Sequence, residues 1–224
     1  MIDAMSKPPE IEVRVPRVFS DADGRYGNPL GVVRDGPSVP EDDRQALATH
    51  LGYSETVFID DAERGAFRIF TPEVELPFAG HPTVGTAWVL AQEGLMLNVL
   101  RPPAGEVAVS RDGDVTWVRA KPEWCPPWQL RQLESAAAVE AEPISGDGLH
   151  YVWAWIDEAA GLVRARCFVP EVGVTEDEAT GSAALPLAAE LGREIEVRQG
   201  EGSVLHARPA GDGYAEVGGR VVDA

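Results

Sequence analysis

Hydrophobic and polar residues alternate in short segments along most of the chain, as in β-strands that bury one face. A segment that begins with acidic residues at 41 and stops before Gly52 predicts a surface helix over 41–51. A weaker helical pattern covers 130–139. The chain is therefore predicted to belong to the α+β class. The predicted strands cover 11–19, 30–33, 56–59, 66–71, 107–109, 115–118, 151–156, 163–169, 195–198 and 214–217.

An internal repeat organises these elements. Residues 68–94 and 166–192 each contain a strand, an acidic loop, a small-residue turn and an apolar helix ending at Gly. The helices predicted at 82–92 and 183–189 have almost no polar face, so they must be enclosed on all sides. The repeat predicts two pseudo-symmetric half-domains, each a curled sheet around a central helix, with chance similarity as the alternative. The residues in register are Arg68/Arg166, Phe70/Phe168, Pro72/Pro170, Glu73/Glu171, Val74/Val172 and Gly94/Gly192.

The boundary between the half-domains is predicted from proline content. Residues 121–127 contain three prolines, which neither a strand nor a helix interior accommodates. The predicted division is therefore 1–121 and 122–224.

Composition and charge exclude several classes of function. The net charge of −18 and the absence of any basic cluster argue against nucleic-acid binding. No apolar run approaches the ~18 residues of a membrane span, and the first ten residues lack the pattern of a secretory signal. Cys125 and Cys167 are too few for a disulfide framework or a zinc site, so a cytoplasmic protein is expected. Neither metal-ligand spacing nor a phosphate-binding loop is present, so the residues themselves predict no metal site and no phosphate-binding loop.

The two predicted helix starts are candidates for an anion site. Gly80-His81 and Gly181-Ser182 place small residues where first-turn N–H groups lack internal partners and carry the positive end of the helix dipole. Two such starts facing one cleft would bind a carboxylate-bearing molecule without Lys or Arg. Ordinary helix starts are the alternative.

Three titratable residues lie near these helix starts or enter a predicted strand. His81 adjoins the first start, Asp177 the second, and Glu55 precedes the strand at 56–59. Partial burial there is expected to raise the pKa of Glu55 and to suit it to proton transfer. Taken singly, Glu55 could be a surface residue, Asp177 a solvated loop acid and His81 a structural histidine.

Several motifs resemble the PhzF-like (phenazine biosynthesis) family of the diaminopimelate epimerase-like fold. They are GNPLGVV, YSETVFI, RIFTPEVELPFAGHPTVGTA, EDEATGSAALPLA and EVRQGEGSVLHARP with VGGRVV, and together they span nearly the whole chain. The resemblance implies half-domains that are each a β-barrel around a helix, usually a homodimer, with no cofactor or metal. It also implies an acid/base Glu55, assisted by His81 and Asp177. The implied substrate-binding residues are Asn28, Gly80, His81, Gly181 and Ser182.

The sequence differs from the patterns of related proteins at positions that bear on the expected reaction. Epimerases of this fold use one cysteine at each helix start, whereas Cys125 and Cys167 lie elsewhere, so one base is expected to carry the proton. The second half is shortened between 119 and 166, and the closing motif reads 207-ARPA-210. We therefore expect an isomerase that shifts a proton on a small carboxylic acid. A C–C bond hydrolase or lyase using the same Glu, and a non-catalytic metabolite-binding protein, are the alternatives.

Overall fold

The computed structural model describes residues 11–224. The expectation about a secretory signal concerns the first ten residues and lies outside this range. Within it, the helices are α1 Glu41–Leu51, α2 Gly80–Gln92, α3 Ala136–Ala141 and α4 Gly181–Leu191. The first ten strands are β1 Val13–Arg14, β2 Pro16–Ser20, β3 Asn28–Pro29, β4 Gly31–Val33, β5 Thr56–Asp61, β6 Ala66–Phe70, β7 Glu75–Leu76, β8 Val99–Leu100, β9 Val107–Asp112 and β10 Val115–Ala120. The others are β11 Gln129–Gln132, β12 His150–Asp157, β13 Leu162–Val169, β14 Val174–Asp177, β15 Ile195–Gln199, β16 Ser203–Gly211 and β17 Tyr214–Asp223.

The repeat extends well beyond the two matching sequence stretches. The series β4-α1-β5-β6-β7-α2-β8-β9-β10 is followed by β11-α3-β12-β13-β14-α4-β15-β16-β17, with the same element types in the same order. In both halves the first strand pairs parallel with the next, which then forms an antiparallel hairpin. The in-register pairs also stack alike, since Arg68 lies over Phe70 at 5.4 Å and Arg166 over Phe168 at 4.8 Å.

The sheets enclose the two central helices, as the lack of a polar helix face predicts. Ten of the thirteen residues of α2 are buried, and seven of the eleven in α4. Residues from both helices and both sheets form one continuous apolar core. Enclosure on all sides removes from water the apolar surface that a surface helix would leave exposed.

Helix boundaries agree with the sequence patterns in part. Helix α1 is confirmed over 41–51 and ends at Gly52, whose φ of 71° is left-handed. Helices α2 and α4 each begin two residues earlier than predicted, at Gly80 and Gly181. Helices α2 and α4 therefore both begin with a glycine.

The helix predicted over 130–139 is wrong over 130–135 and confirmed over 136–139. Strand β11 occupies its first part and pairs in parallel with β12, placing Leu130 opposite Tyr151. The short helix α3 starts only after Ser135, whose side chain accepts a hydrogen bond from the Ala138 N–H. Pairing with a distant strand outweighs the weak local helical preference. Strand β16 was not predicted, because its Gly and Pro residues mask the strand pattern.

Backbone pairing crosses the predicted boundary at residue 121. The last strand, β17, pairs with β10 and β2 from the first part of the chain, as well as with β16. The division into 1–121 and 122–224 stays a prediction. Among residues 11–224, every helix is too short or too polar to cross a membrane.

The two central helices meet at their N-terminal glycines. A Cβ atom on Gly80 would lie 2.9 Å from the carbonyl carbon of Gly181 and 3.2 Å from the Ser182 nitrogen. A Cβ on Gly181 would lie 3.1 Å from the His81 nitrogen. Backbone therefore packs directly against backbone, and any side chain at either position would force the helices apart.

We expect Gly80→Ala to lower the free energy of unfolding by about 1–3 kcal/mol, because the new methyl group overlaps backbone that cannot move freely. Gly146→Ala is the matched control, since a Cβ at Gly146 meets nothing within 4 Å. Urea unfolding of both variants measures the difference. Equal stability of the two variants would show that the helix contact is not tight.

Candidate active site

A cleft with about 460 Å³ of empty volume, including its mouth, lies beside the helix junction. Its walls come from both halves of the chain, and their side chains are mostly apolar, among them Leu76, Phe78 and Trp128. Among residues 11–224, those that line it include neither Lys nor Arg. The polar lining residues are Ser54, Glu55, Thr71, Asp177, Thr180 and Ser182.

The N-termini of α2 and α4 have no side-chain caps. Ala79 precedes α2 and has no group that could cap it, while Thr180 precedes α4 without capping it. The Thr180 hydroxyl instead donates to Asp177 Oδ2 at 2.6 Å. Amide groups of the first turns thus keep their capacity to bind an anion, and both helix dipoles present their positive ends at the junction.

Glu55 lies just before β5 and is held by two neighbours. Its Oε2 atom is 2.9 Å from His81 Nδ1 on α2, and it accepts a hydrogen bond from Ser54 Oγ at 2.6 Å. Burial opposes ionisation of Glu55, but the bonds from His81 and Ser54 outweigh burial, so the pKa lies below its usual value. The expectation of a raised pKa for Glu55 is therefore wrong. The sequence pattern indicates burial but does not show which donors meet the carboxylate.

Asp177 ends β14 and is buried, with 6% of its surface exposed. Its Oδ1 atom accepts from Asn28 Nδ2 at 2.7 Å, in addition to the bond from Thr180. Burial, followed by the nearby negative charge of Glu55, raises the pKa of Asp177 to about 7. Two carboxyl groups in one site thus differ in their readiness to hold a proton, which is the arrangement that acid/base chemistry needs.

The structure brings all the predicted site residues into one cluster. Glu55, Asp177 and Ser182 line the cleft, and Gly80 and Gly181 form the helix junction. His81 and Asn28 are buried behind the lining and bond to Glu55 and Asp177 respectively. Their roles in catalysis and substrate binding stay predictions.

Three further residues of this cluster were not predicted from the sequence. Ser54 and Thr180 bond directly to the two carboxyl groups, and both lie inside the quoted motifs, which could have singled them out. Gln199 is fully buried, accepts from the Thr180 N–H and donates to the Asp177 carbonyl. Gln199 also lies inside a quoted motif, but its contact with Thr180 forms only when β15 reaches that residue in the folded chain.

The two cysteines do not occupy the helix starts. Cys167 lies opposite Asp177 in the β13–β14 ladder, but burial raises the pKa of its thiol well above the usual value. Burial likewise raises the pKa of Cys125 to about 12. Both thiols are therefore held in the protonated form, which is a poor base. Within residues 11–224, no His, Cys, Asp and Glu side chains cluster as metal ligands would, and the expectation of no metal stays a prediction.

Known proteins are similar to this chain in sequence and in fold. The sequence model of the family described as phenazine biosynthesis-like protein (PhzC-PhzF) matches residues 17–127 and 126–208. Trans-2,3-dihydro-3-hydroxyanthranilate isomerase of Pseudomonas aeruginosa is 30% identical, with 84% of this chain and 86% of the relative covered.

Two solved structures extend the comparison. A putative PhzC/PhzF phenazine biosynthesis protein from Clostridium difficile superposes with a TM-score of 0.74 at 19% identity, covering 96% of this chain and 97% of that one. A predicted epimerase from Pseudomonas aeruginosa superposes with a TM-score of 0.71 at 26% identity, with the same coverage.

The fold and the matches define an isomerase with a diaminopimelate epimerase-like fold, and the predicted α+β architecture is confirmed. The chain belongs to the PhzF-like, phenazine biosynthesis-like protein family.

Asp177 makes the stability of the protein depend on pH. Its pKa of about 7 in the folded state exceeds the ~3.9 of an unfolded chain, so between these values the folded state binds the proton more strongly. Stability from this group is complete below about pH 4 and is lost as the pH rises through 7. Glu55 has a lowered pKa, so its contribution changes in the opposite direction and at more acidic pH.

We expect Asp177→Asn to flatten the decline in stability between pH 4.5 and 7, because asparagine does not titrate. Urea unfolding across this range, with the exposed Asp42→Asn as control, measures the slope. An unchanged slope in Asp177→Asn would contradict the raised pKa.

Proposed function

We propose that the protein is a cofactor-independent isomerase that moves a proton on a small carboxylic acid, with Glu55 as acid/base. The observation that carries this proposal is the position of Glu55. It lies in the cleft, bonded to His81 at 2.9 Å, beside two uncapped helix N-termini. A base and an anion site thus share one enclosed space.

The proposed reaction assigns a separate task to each group. First-turn amides at Gly80 and Gly181, with the Ser182 side chain, bind the substrate carboxylate. Glu55 has a lowered pKa, so it is ionised at neutral pH and takes a proton from a carbon atom. The electron pair of the broken C–H bond moves into the adjacent unsaturated system, and Glu55 returns the proton to another carbon. Asp177 has a pKa of about 7 and can donate a proton where charge develops.

The lining of the cleft favours a substrate of low charge. Its described residues include neither Lys nor Arg, and helix N-termini can neutralise one carboxylate more readily than several anionic groups. The substrate named for the Pseudomonas aeruginosa relative, trans-2,3-dihydro-3-hydroxyanthranilate, is a cyclic monocarboxylic acid and is the first compound to test. We further propose a homodimer, as the family resemblance implies, and a cytoplasmic location, as the low cysteine content favours.

We expect the wild-type protein to incorporate deuterium into a monocarboxylic substrate in heavy water, and Glu55→Gln to do so at least ~100-fold more slowly. Mass spectrometry of trans-2,3-dihydro-3-hydroxyanthranilate and a panel of unsaturated monocarboxylic acids measures incorporation. Glu106→Gln is the control, because that side chain is 70% exposed.

The same samples distinguish the alternatives. An isomerase product keeps the substrate mass apart from deuterium, whereas a C–C hydrolase or lyase gives fragments. Equal incorporation by wild type and Glu55→Gln would contradict the role of Glu55. Binding of these acids with neither exchange nor turnover would indicate a metabolite-binding protein.

Trp128 is proposed to bind a neutral oxygen of the substrate. It lines the cleft, and its buried indole N–H has no acceptor within residues 11–224. A buried donor without a partner is costly, and a ligand acceptor would remove that cost. We expect Trp128→Phe, which keeps an aromatic ring, to raise KM by about 3–10-fold with little change in kcat.

Steady-state kinetics test this role, with whichever acid of the panel the wild-type protein turns over as substrate. Trp155→Phe is the control, since Trp155 packs on Trp153 and Arg193 and does not line the cleft. An unchanged KM in Trp128→Phe would remove the indole N–H from the binding site.

A further inference from the structure

Both hydrogen bonds to the Glu55 carboxylate converge on one oxygen. His81 Nδ1 lies 2.9 Å from Oε2, and the Ser54 hydroxyl donates to the same atom at 2.6 Å. No hydrogen bond reaches Oε1 from the residues that the structure describes. The two oxygens of Glu55 therefore have different surroundings. Oε2 is bonded to protein groups, whereas Oε1 is left for a ligand in the cleft that Glu55 lines.

Ser54 has a second acceptor within reach. Its Oγ atom lies 3.2 Å from Asn28 Oδ1, but one hydroxyl hydrogen can serve only one acceptor at a time. The Asn28 amide is oriented by its other end, where Nδ2 donates to Asp177 Oδ1 at 2.7 Å and to the Ala179 carbonyl at 3.3 Å. With both of these bonds formed, the Asn28 oxygen must face Ser54.

These contacts allow the hydroxyl to follow the charge of Glu55. When Glu55 is ionised, Ser54 donates to Oε2, which is the shorter of its two contacts. When Glu55 carries a proton, its need for a donor falls, and the hydroxyl can turn to Asn28 Oδ1 without losing its hydrogen bond. The Ser54 hydroxyl therefore keeps a hydrogen-bond acceptor in both protonation states of Glu55.

We propose that Ser54 is a positioning residue that anchors Oε2 of Glu55 in the ionised state and turns to Asn28 Oδ1 in the protonated state, and that Oε1 is the oxygen that carries the substrate proton. This inference rests on the proposed acid/base role of Glu55. It assigns Asn28 to the support of Ser54 and Asp177, because its amide is already engaged by protein groups.

With Oε1 as the base, the proposed proton transfer conserves atoms and electrons. Oε1 forms an O–H bond as the substrate C–H bond breaks, and the electron pair stays on the substrate. The reverse step at another carbon restores the carboxylate. The charged or titratable groups that face Glu55 are His81 from α2, Asp177 from β14 and, more remotely, Cys167 from β13.

Ser54→Ala and Ser54→Thr test the inference. Loss of the hydroxyl removes a donor that favours the ionised form, so Ser54→Ala should raise the pKa of Glu55 and shift the acidic limb of the kcat/KM profile to higher pH. We expect kcat to fall about tenfold, the order for one hydrogen bond to a charged group, with KM nearly unchanged. Ser54→Thr keeps the hydroxyl and should restore both properties.

Carbon-13 NMR titration of the Glu55 carboxyl measures the first effect without any substrate. Failure of the proposed function and failure of this inference are therefore distinguishable. Ser38→Ala is the control, because Ser38 is exposed and its hydroxyl donates to the Asp35 carbonyl. A Glu55 titration and kcat in Ser54→Ala equal to those of wild type would overturn the proposal, as would a Ser54→Thr variant as impaired as Ser54→Ala.

Discussion

The contact between two helix N-termini is the constraint on which the rest of the site depends. Each terminus carries roughly half a positive charge from its aligned peptide dipoles, so two facing termini repel each other. Gly80 and Gly181 allow the approach sterically, and the carboxyl groups of Glu55 and Asp177 supply negative charge beside it. An anionic ligand would add to this balance of charge, since the residues described along the cleft include neither Lys nor Arg.

The two carboxyl groups are made different by their neighbours. Glu55 meets two donors on one oxygen, and its charged form is favoured despite burial. Asp177 also has two donors, but deeper burial and the charge of Glu55 prevail, and its pKa rises. Residue type alone cannot distinguish a base from an acid in such a pair, because the pKa values depend on distances of a few ångströms.

The repeat shows how much of the architecture sequence patterns can reveal. A few in-register residues predicted two related halves, and the structure extends the correspondence to whole series of strands and helices. The helix over 41–51 was predicted correctly, because its acidic start and its Gly52 stop are local signals. The error over 130–135 has the opposite cause, since β11 is stabilised by pairing with a strand some twenty residues away. Other strands were predicted too short or, like β16, were not predicted, and they likewise owe their extent to pairing with neighbouring strands.

The sequence by itself determined the fold family, the two enclosed helices and the set of polar residues near their starts. Apolar periodicity and short motifs are local properties, so they survive without the structure. Only the tertiary structure decided that the two glycines touch, that Ser54 and His81 share one oxygen of Glu55, and that Asn28 joins Asp177 to Ser54. Asn28 and Asp177 are 149 positions apart, and no local pattern records a contact that forms only when both halves fold together.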